Sequence, residues 1–412
     1  MKIAILGYGK EGKAAERYFA QHNAEIKVID NFTEAELDTI NLDGYDLILR
    51  SPSVRPRDGF SSMTKYFFDH AKAPIIGVTG TKGKGTTCSL IETILTALGK
   101  KVYLVGNIGN PSIDVLDELT PDDVVVYEMS SFQLWDLKKS PQVAVILRIE
   151  ADHLNVHYDF DDYVNAKGHI AEYQNPEDSI VYFSENEWSV RIANKSKAEH
   201  RAEYPLKKKP AGLDEILNSL GVPGEHNKEN AEAALLAVAE FLGVSLEELI
   251  KKNSDIIREA LAKFKGLPHH IEFVRNIHGV DYYDDSFSAS YPSLEVAIKT
   301  FNARPVILIA GGKDRGLDLA PMKRAIFDAD NLQKVILMGE TSADLAKNED
   351  AEKFILVNSL EEAVENARKE AEKVNPELKP VVLLSPGAAS FDMFKDFYDR
   401  GDQFKALVQE LK

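Results

Sequence analysis

The sequence predicts an α/β protein of three domains: a Rossmann-like N-terminal domain, a central P-loop ATPase-type parallel sheet and a Rossmann-like C-terminal domain. Three observations carry this. Short β-branched runs alternate with helical periodicity from end to end, the pattern of parallel sheets covered by helices. Glycine-rich loops join strand to helix at Gly7–Gly12 and Gly77–Gly85. The 412 residues exceed any single domain at ~100–200 residues each.

In chain order, apolar runs predict strands at Lys2–Leu6, Glu25–Ile29 and Tyr45–Leu49, with a helix from Lys10 to His22. These make a first domain, 1–72. The second, 73–265, opens with a strand at Ile75–Thr79. A helix follows in which Leu90, Ile91, Ile94, Leu95 and Leu98 share one face before Gly99 stops it. Further strands are expected at Lys101–Val105, Val124–Tyr127 and Val143–Leu147, and a helix at Asn230–Leu242. The polar, Lys-rich run Glu185–Pro210 reads as surface structure or loop. Lys263–Pro268 joins Gly and Pro in a linker, a hinge by its composition. The third domain, 266–412, carries strands at Ile271–Val274, Val280–Asp284, Val306–Ile309, Val335–Met338 and Val381–Leu384.

Composition narrows the function. At 44% hydrophobic and 28% charged the chain is globular rather than disordered. With 49 Lys and Arg against 66 Asp and Glu, a net charge of -17 repels polyanions and argues against nucleic acid as partner. A small phosphorylated ligand at a local site stays compatible. The single cysteine, Cys88, excludes an internal disulfide, and no apolar run of ~18 residues reads as a membrane span. The opening residues do not form a signal-peptide pattern, so a cytoplasmic protein is expected.

The strongest chemical signal is Gly80-Thr81-Lys82-Gly83-Lys84-Gly85-Thr86-Thr87, placed between a strand and a helix. Glycines let backbone N–H groups close around phosphate oxygens, and Lys84 supplies positive charge. The spacing departs from Walker A: Val78 stands where its first glycine belongs, and Gly85 follows Lys84, leaving Thr86 as the hydroxyl for magnesium. Glu128 ends a run of valines, where a parallel strand delivers side chains to the ligand crevice, and a carboxylate suits magnesium. Asn227 and Asn230, three apart, share a helix face, although Asn227 also reads as a helix cap. Gly7, Gly9 and Gly12, with Asp30 ending the next strand, make a dinucleotide-type fingerprint. His153 alone reads as structural, and Lys167 alone as a solvated helix lysine.

Gly80–Lys84 resembles the loop of the Mur ligase superfamily, and Gly85 resembles that of its folylpolyglutamate synthases. Further matches run in family order to the end of the chain. They include Asn107-Ile-Gly109, Glu128-Met-Ser-Ser131-Phe-Gln133, Asp152-His153, Asn165-Ala-Lys167, His226-Asn227, Pro268-His269-His270, Asp284-Asp285-Ser286 and Gly311-Gly-Lys313. The last match, Ser385-Pro-Gly-Ala-Ala-Ser390 with Phe397 and Arg400-Gly401 behind it, resembles the glutamate-adding, MurD-type branch.

The resemblance implies an ATP- and magnesium-dependent amide ligase of peptidoglycan precursor synthesis. It would join glutamate, D-glutamate by the branch pattern, to UDP-N-acetylmuramoyl-L-alanine through an acyl phosphate. Thr86, Glu128, His153 and a CO₂-carbamylated Lys167 would hold metal, with Lys84 on the phosphates. Asn227, Asn230, His270 and Asp285 would face the adenine nucleotide. Gly7, Gly9, Gly12, Asp30 and Ser51 would take the UDP end of the acceptor, and Asn107, Ser131 and Gln133 its remainder. Arg315, Ser390 and the backbone of Phe397 would take glutamate. The chain departs from the family at His270, commonly arginine, and at Phe287 and Ala289, often lysine and threonine. Other readings stay open: a sibling ligase for L-glutamate or a folate, or a nucleotide-binding scaffold without turnover. Small-molecule substrates and a monomer are expected.

Overall fold

Three sheets organise the molecule, seen in a computed structural model that describes residues 1–154, 156–347 and 352–412. The first contains β1 (Lys2–Leu6), β2 (Glu25–Ile29), β3 (Leu47–Arg50) and β4 (Phe60–Ser62), all parallel in the order β2-β1-β3-β4. The second contains β5 (Ile75–Thr79), β6 (Val102–Gly106), β7 (Val124–Glu128), β8 (Val143–Ile146), β9 (Ser179–Phe183) and β10 (His200–Tyr204). It is parallel throughout, ordered β10-β9-β8-β5-β7-β6. The third contains β11 (Glu272–Ile277), β12 (Val280–Asp284), β13 (Val306–Ala310), β14 (Leu332–Leu337), β15 (Phe354–Leu356) and β16 (Val381–Leu384), ordered β11-β12-β16-β13-β14-β15. Only β11 is antiparallel there.

By contact the chain forms two compact units, 1–220 with 228–263, and 221–227 with 264–412. The central strands of the larger sheets lie in the interior: every residue of β5, β7, β8, β13 and β16 is buried. Helices on both faces leave no polar side to such strands, which is why their sequences are unbroken apolar runs.

Several elements depart from expectation. The Glu185–Pro210 run, read as surface structure or loop, is surface structure: a helix, Glu187–Ala193, capped by Asn186, and the edge strand β10. That strand buries only its last residue, so it lacks the apolar alternation that marks a strand. The short strands β4 and β15, the strand β9 and the helix Leu246–Ala262 were likewise unforeseen. Strand β3 begins at Leu47 rather than Tyr45, β14 begins earlier, at Leu332, and the helix read from Asn230 begins at Glu225. Asn227 is therefore inside that helix and not its cap.

What matters for function is the reversal of strand order at β5, which lies between β8 and β7. A crevice opens outside the carboxyl ends of strands at such a point. The phosphate loop, Glu128 and the segment after β8 all emerge there.

Candidate active site

The loop after β5 is built for close approach. Gly83 precedes the helix Lys84–Ala97 with φ +83°, in the left-handed region that favours glycine. A Cβ there would lie 2.5 Å from Asn230 Oδ1, and one on Gly80 would lie 2.6 Å from Leu147 Cβ. The Thr81 hydroxyl accepts from the Glu150 amide (2.8 Å) and donates to the Glu150 carbonyl (3.0 Å), pinning the loop to the segment after β8. Lys82 is exposed, while Gly85 and Thr86 are half-buried in the first helical turn.

Two lysines converge on one carbonyl. Lys84 Nζ donates to Gly80 O (3.0 Å) and Thr81 O (2.9 Å). Lys167 Nζ donates to the same Gly80 O (2.8 Å) and to Thr79 Oγ1 (3.3 Å), with the Tyr163 ring 4.7 Å away. Lys167 is 1% exposed, which overturns the solvated-lysine reading that periodicity alone gives. Burial pushes both amines below the usual lysine range, and the Lys84 charge lowers Lys167 further.

Glu128, at the end of β7, faces this pair. Burial raises its carboxyl, while Lys84 and Lys167 pull it down. Asn107 Nδ2 makes a long contact with its Oε1 (3.5 Å), the Ile108 backbone amide also favours the charged carboxylate, and Oε2 is buried with no hydrogen-bond partner. The Thr87 hydroxyl is also buried and unpartnered. Orphaned buried oxygens are costly and rare, which marks these two as candidate ligand-binding atoms. A hard cation with a phosphate ligand fits that donor set.

His153 is less tightly held. It is exposed, with φ +54°, paired with its neighbour Asp152 and in edge contact with Phe132. Asp152 acts electrostatically on both lysines, a role its place in the Asp-His motif could have suggested. His157 carried no sequence signal, yet it is buried, bridges Ser131 Oγ (3.0 Å) and Asp162 (3.0 Å), and stacks on Phe132. Ser131 is thus held from behind. Ser130 caps the short helix Ser131–Leu134 in a capping box with Gln133, and Gln133 Nε2 donates to Glu11 (2.8 Å), in the helix Lys10–Gln21 that follows β1.

On that first sheet the segments after β1, β2 and β3 lie side by side. Asp30 accepts the Tyr8 amide (3.0 Å), and a Cβ on Gly7 would overlap Ser51 Oγ at 2.2 Å. Gly12 is equally closed, by the Gly7 carbonyl, but Gly9 faces open space, room for a ligand to reach the backbone.

The second unit has its own polar centre. Asp285 accepts from Ser385 Oγ (2.7 Å) and the Ile271 amide (3.2 Å), and burial pushes its carboxyl up to about 8. His270 stacks on Phe287 with ring centres 4.0 Å apart, and burial lowers it to about 4. Its neighbours His269 and Ile271 both have positive φ. Ser390 is buried, Phe397 O accepts from Ser286 Oγ (2.8 Å), and Arg315 is exposed. Asn227 donates to Pro223 O (2.6 Å). His269, Glu272 and Asp284 cluster, but Lys405 takes Glu272 and His269 takes Asp284, so the group satisfies itself.

A phosphate loop at the switch point of a parallel sheet, with lysines and a carboxylate behind it, defines the class as a phosphate-loop nucleotide-binding protein. Comparison with known proteins narrows this. Residues 78–238 match the Mur ligase middle domain. The chain is 32% identical to the UDP-N-acetylmuramoylalanine–D-glutamate ligases of Acetivibrio thermocellus and Clostridium kluyveri, over 100% of this chain and 97% of each relative. Solved structures share the fold. The UDP-N-acetylmuramate-alanine ligase of Thermotoga maritima aligns with TM-score 0.60 at 18% identity, covering 100% of both chains. MurF of Acinetobacter baumannii aligns with TM-score 0.62 at 18% identity, over 92% of this chain and 87% of that one. The chain belongs to the Mur ligase family, in its UDP-N-acetylmuramoylalanine–D-glutamate ligase branch. No helix among the described residues is long and apolar enough to cross a membrane.

Proposed function

We infer that this chain is an ATP-dependent amide ligase of peptidoglycan precursor synthesis, adding D-glutamate to UDP-N-acetylmuramoyl-L-alanine in the cytoplasm. The full-length relationship to ligases of that name carries the reading. The convergence of Lys84, Lys167 and Glu128 on the phosphate loop supports it.

In this reading residues 1–72 take the UDP end through the Gly7, Gly9 and Gly12 backbone, Asp30 and Ser51. Residues 73–265 hold ATP, with Asn230 beside the loop and Asn107, Ser131 and Gln133 along the acceptor. Residues 266–412 serve nucleotide and glutamate: Asp285 the ribose, Arg315 and Ser390 the two carboxylates with the Phe397 backbone, and His270 and Asn227 the nucleotide. The acceptor carboxylate attacks the γ-phosphorus, the bond to the bridging oxygen breaks, and ADP leaves. The glutamate amine then adds to the acyl phosphate, and the tetrahedral species expels phosphate and yields the amide. Lys84 offsets negative charge as carboxylate and triphosphate approach, so catalysis is mainly positioning and electrostatics.

Magnesium, when bound, neutralises the triphosphate; Thr86, Glu128, His153 and Lys167 are the residues that would hold it. For Lys167 to be a ligand it must carry a carboxylate, and burial, which favours its neutral amine, favours reaction with CO₂ to a carbamate. ADP release measured with ATP, the acceptor and each glutamate enantiomer in turn tests the reading. Turnover with D-glutamate supports it, whereas turnover only with L-glutamate, or with none of a panel of amino acids, would replace it.

A further inference from the structure

Arg50 is fully buried, and each of its five N–H groups has an acceptor. Nε and Nη2 form a two-pronged pair with the Asp136 carboxylate. Nη2 also donates to Phe132 O (3.2 Å), and Nη1 donates to Val54 O (3.1 Å) and Ser51 O (3.5 Å). One guanidinium thus joins two places. Ser51–Val54 follows β3 on the first sheet and packs against Gly7. Phe132 and Asp136 belong to the short helix Ser131–Leu134 and the turn after it, which begin three residues after Glu128. Nothing in the catalytic reading uses this contact.

A buried Arg–Asp pair is a poor source of stability, because desolvation offsets most of the attraction. Its distinctive property is geometric: a planar fork with five fixed donors tolerates little displacement. We propose that Arg50 is a positioning residue that fixes the span between the cradle for the diphosphate end of the acceptor and the centre that receives its carboxylate. The proposal rests on the reading of the acceptor given above, in which one extended molecule is held at both ends. When two ends of a ligand are held, the second contact counts only if the spacing is right. The Gln133–Glu11 hydrogen bond is a second tie to the same short helix, made from the helix that follows β1, and Glu11 is the residue before Gly12.

The experiment uses full-length Arg50→Lys and the milder Asp136→Asn, with calorimetric affinities for UDP alone and for the whole acceptor, and steady-state constants for ATP. The clamp predicts UDP affinity within twofold of wild type, acceptor affinity reduced by about 10- to 100-fold, and an unchanged ATP KM. Acceptor affinity equal to wild type in either folded variant would overturn the proposal. So would a parallel loss of UDP, acceptor and ATP affinity in Asp136→Asn, the mark of a merely structural role. Wild-type protein that binds neither UDP nor the acceptor would overturn the substrate reading itself, and the clamp with it.

Discussion

Gly83→Ala, set against Gly99→Ala, separates backbone strain from contact at the phosphate loop. The two glycines have nearly the same φ, +83° and +82°, at opposite ends of the helix Lys84–Ala97. An alanine forced into that region costs about 1–2 kcal/mol at either position. Their surroundings differ. A Cβ on Gly99 meets nothing within 4 Å, whereas one on Gly83 lies 2.5 Å from Asn230 Oδ1 and 3.3 Å from Leu147 Cδ1. Asn230 must move, and the loop opens where phosphate would sit. In a unit of this size 1 kcal/mol is about 2–4 °C in Tm, so Gly99→Ala should lose about 2–8 °C and keep its ATP affinity. Gly83→Ala should lose more, and its ATP affinity should fall by at least ~10-fold, about 1.4 kcal/mol. Thermal unfolding and nucleotide titration on the two variants read both quantities. Equal Tm losses, or unchanged nucleotide affinity in Gly83→Ala, would refute the assignment of Gly83 to a phosphate cradle.

Lys84→Ala should abolish acyl-phosphate formation, cutting turnover by at least ~10²–10³-fold while leaving UDP affinity intact; near-full turnover in an ADP-release assay would remove Lys84 from the chemistry. Incubation with ¹³C-bicarbonate should give a carbamate resonance that magnesium strengthens and Lys167→Ala lacks; identical spectra from both proteins would exclude carbamylation at that residue. His270 is lowered to about 4 from its ordinary 6.5, so between those values the unfolded chain binds more protons and stability falls as pH falls. Asp285, raised to about 8, works in the opposite direction, so the test is a difference: His270→Phe should be less acid-sensitive than wild type by about 2–3 kcal/mol between pH 6.5 and 4.5 in chemical denaturation. Parallel pH profiles would show that His270 is not held neutral.

The framework of the fold is legible because the central strands are buried on both faces, which leaves unbroken valine and isoleucine runs such as Val124–Val126 and Val306–Ile309. The edges are not legible for the same reason: β10 buries almost nothing, and β4 and β15 are three residues long. Within the site, Gly80, Gly83 and Lys84 announce themselves through local spacing. Lys167 does not. It lies 88 positions from Thr79, its hydrogen-bond partner, and its helix shows no sign that a lysine faces inward. His157 and Arg50 are silent for a related reason, since their partners Ser131 and Asp136 are contributed by other elements. Sequence periodicity reports the face of one element, and these residues act between elements.

The charges around Gly80 explain why this centre would bind its ligands together. With a free amine at Lys167, the buried groups are Lys84, Lys167 and Glu128, and burial disfavours the charged form of each. Two amines beside one carboxylate make a donor set that suits an anion such as a triphosphate. Carbamylation of Lys167 would replace a buried amine with an anion, so the same three positions would lean negative and demand a cation. The unpartnered Glu128 Oε2 lies where that demand arises. Metal, carbamate and triphosphate would then each relieve a charge that another creates. In a low-dielectric pocket such coupling is strong, so a protein stripped of one of the three should hold the other two weakly.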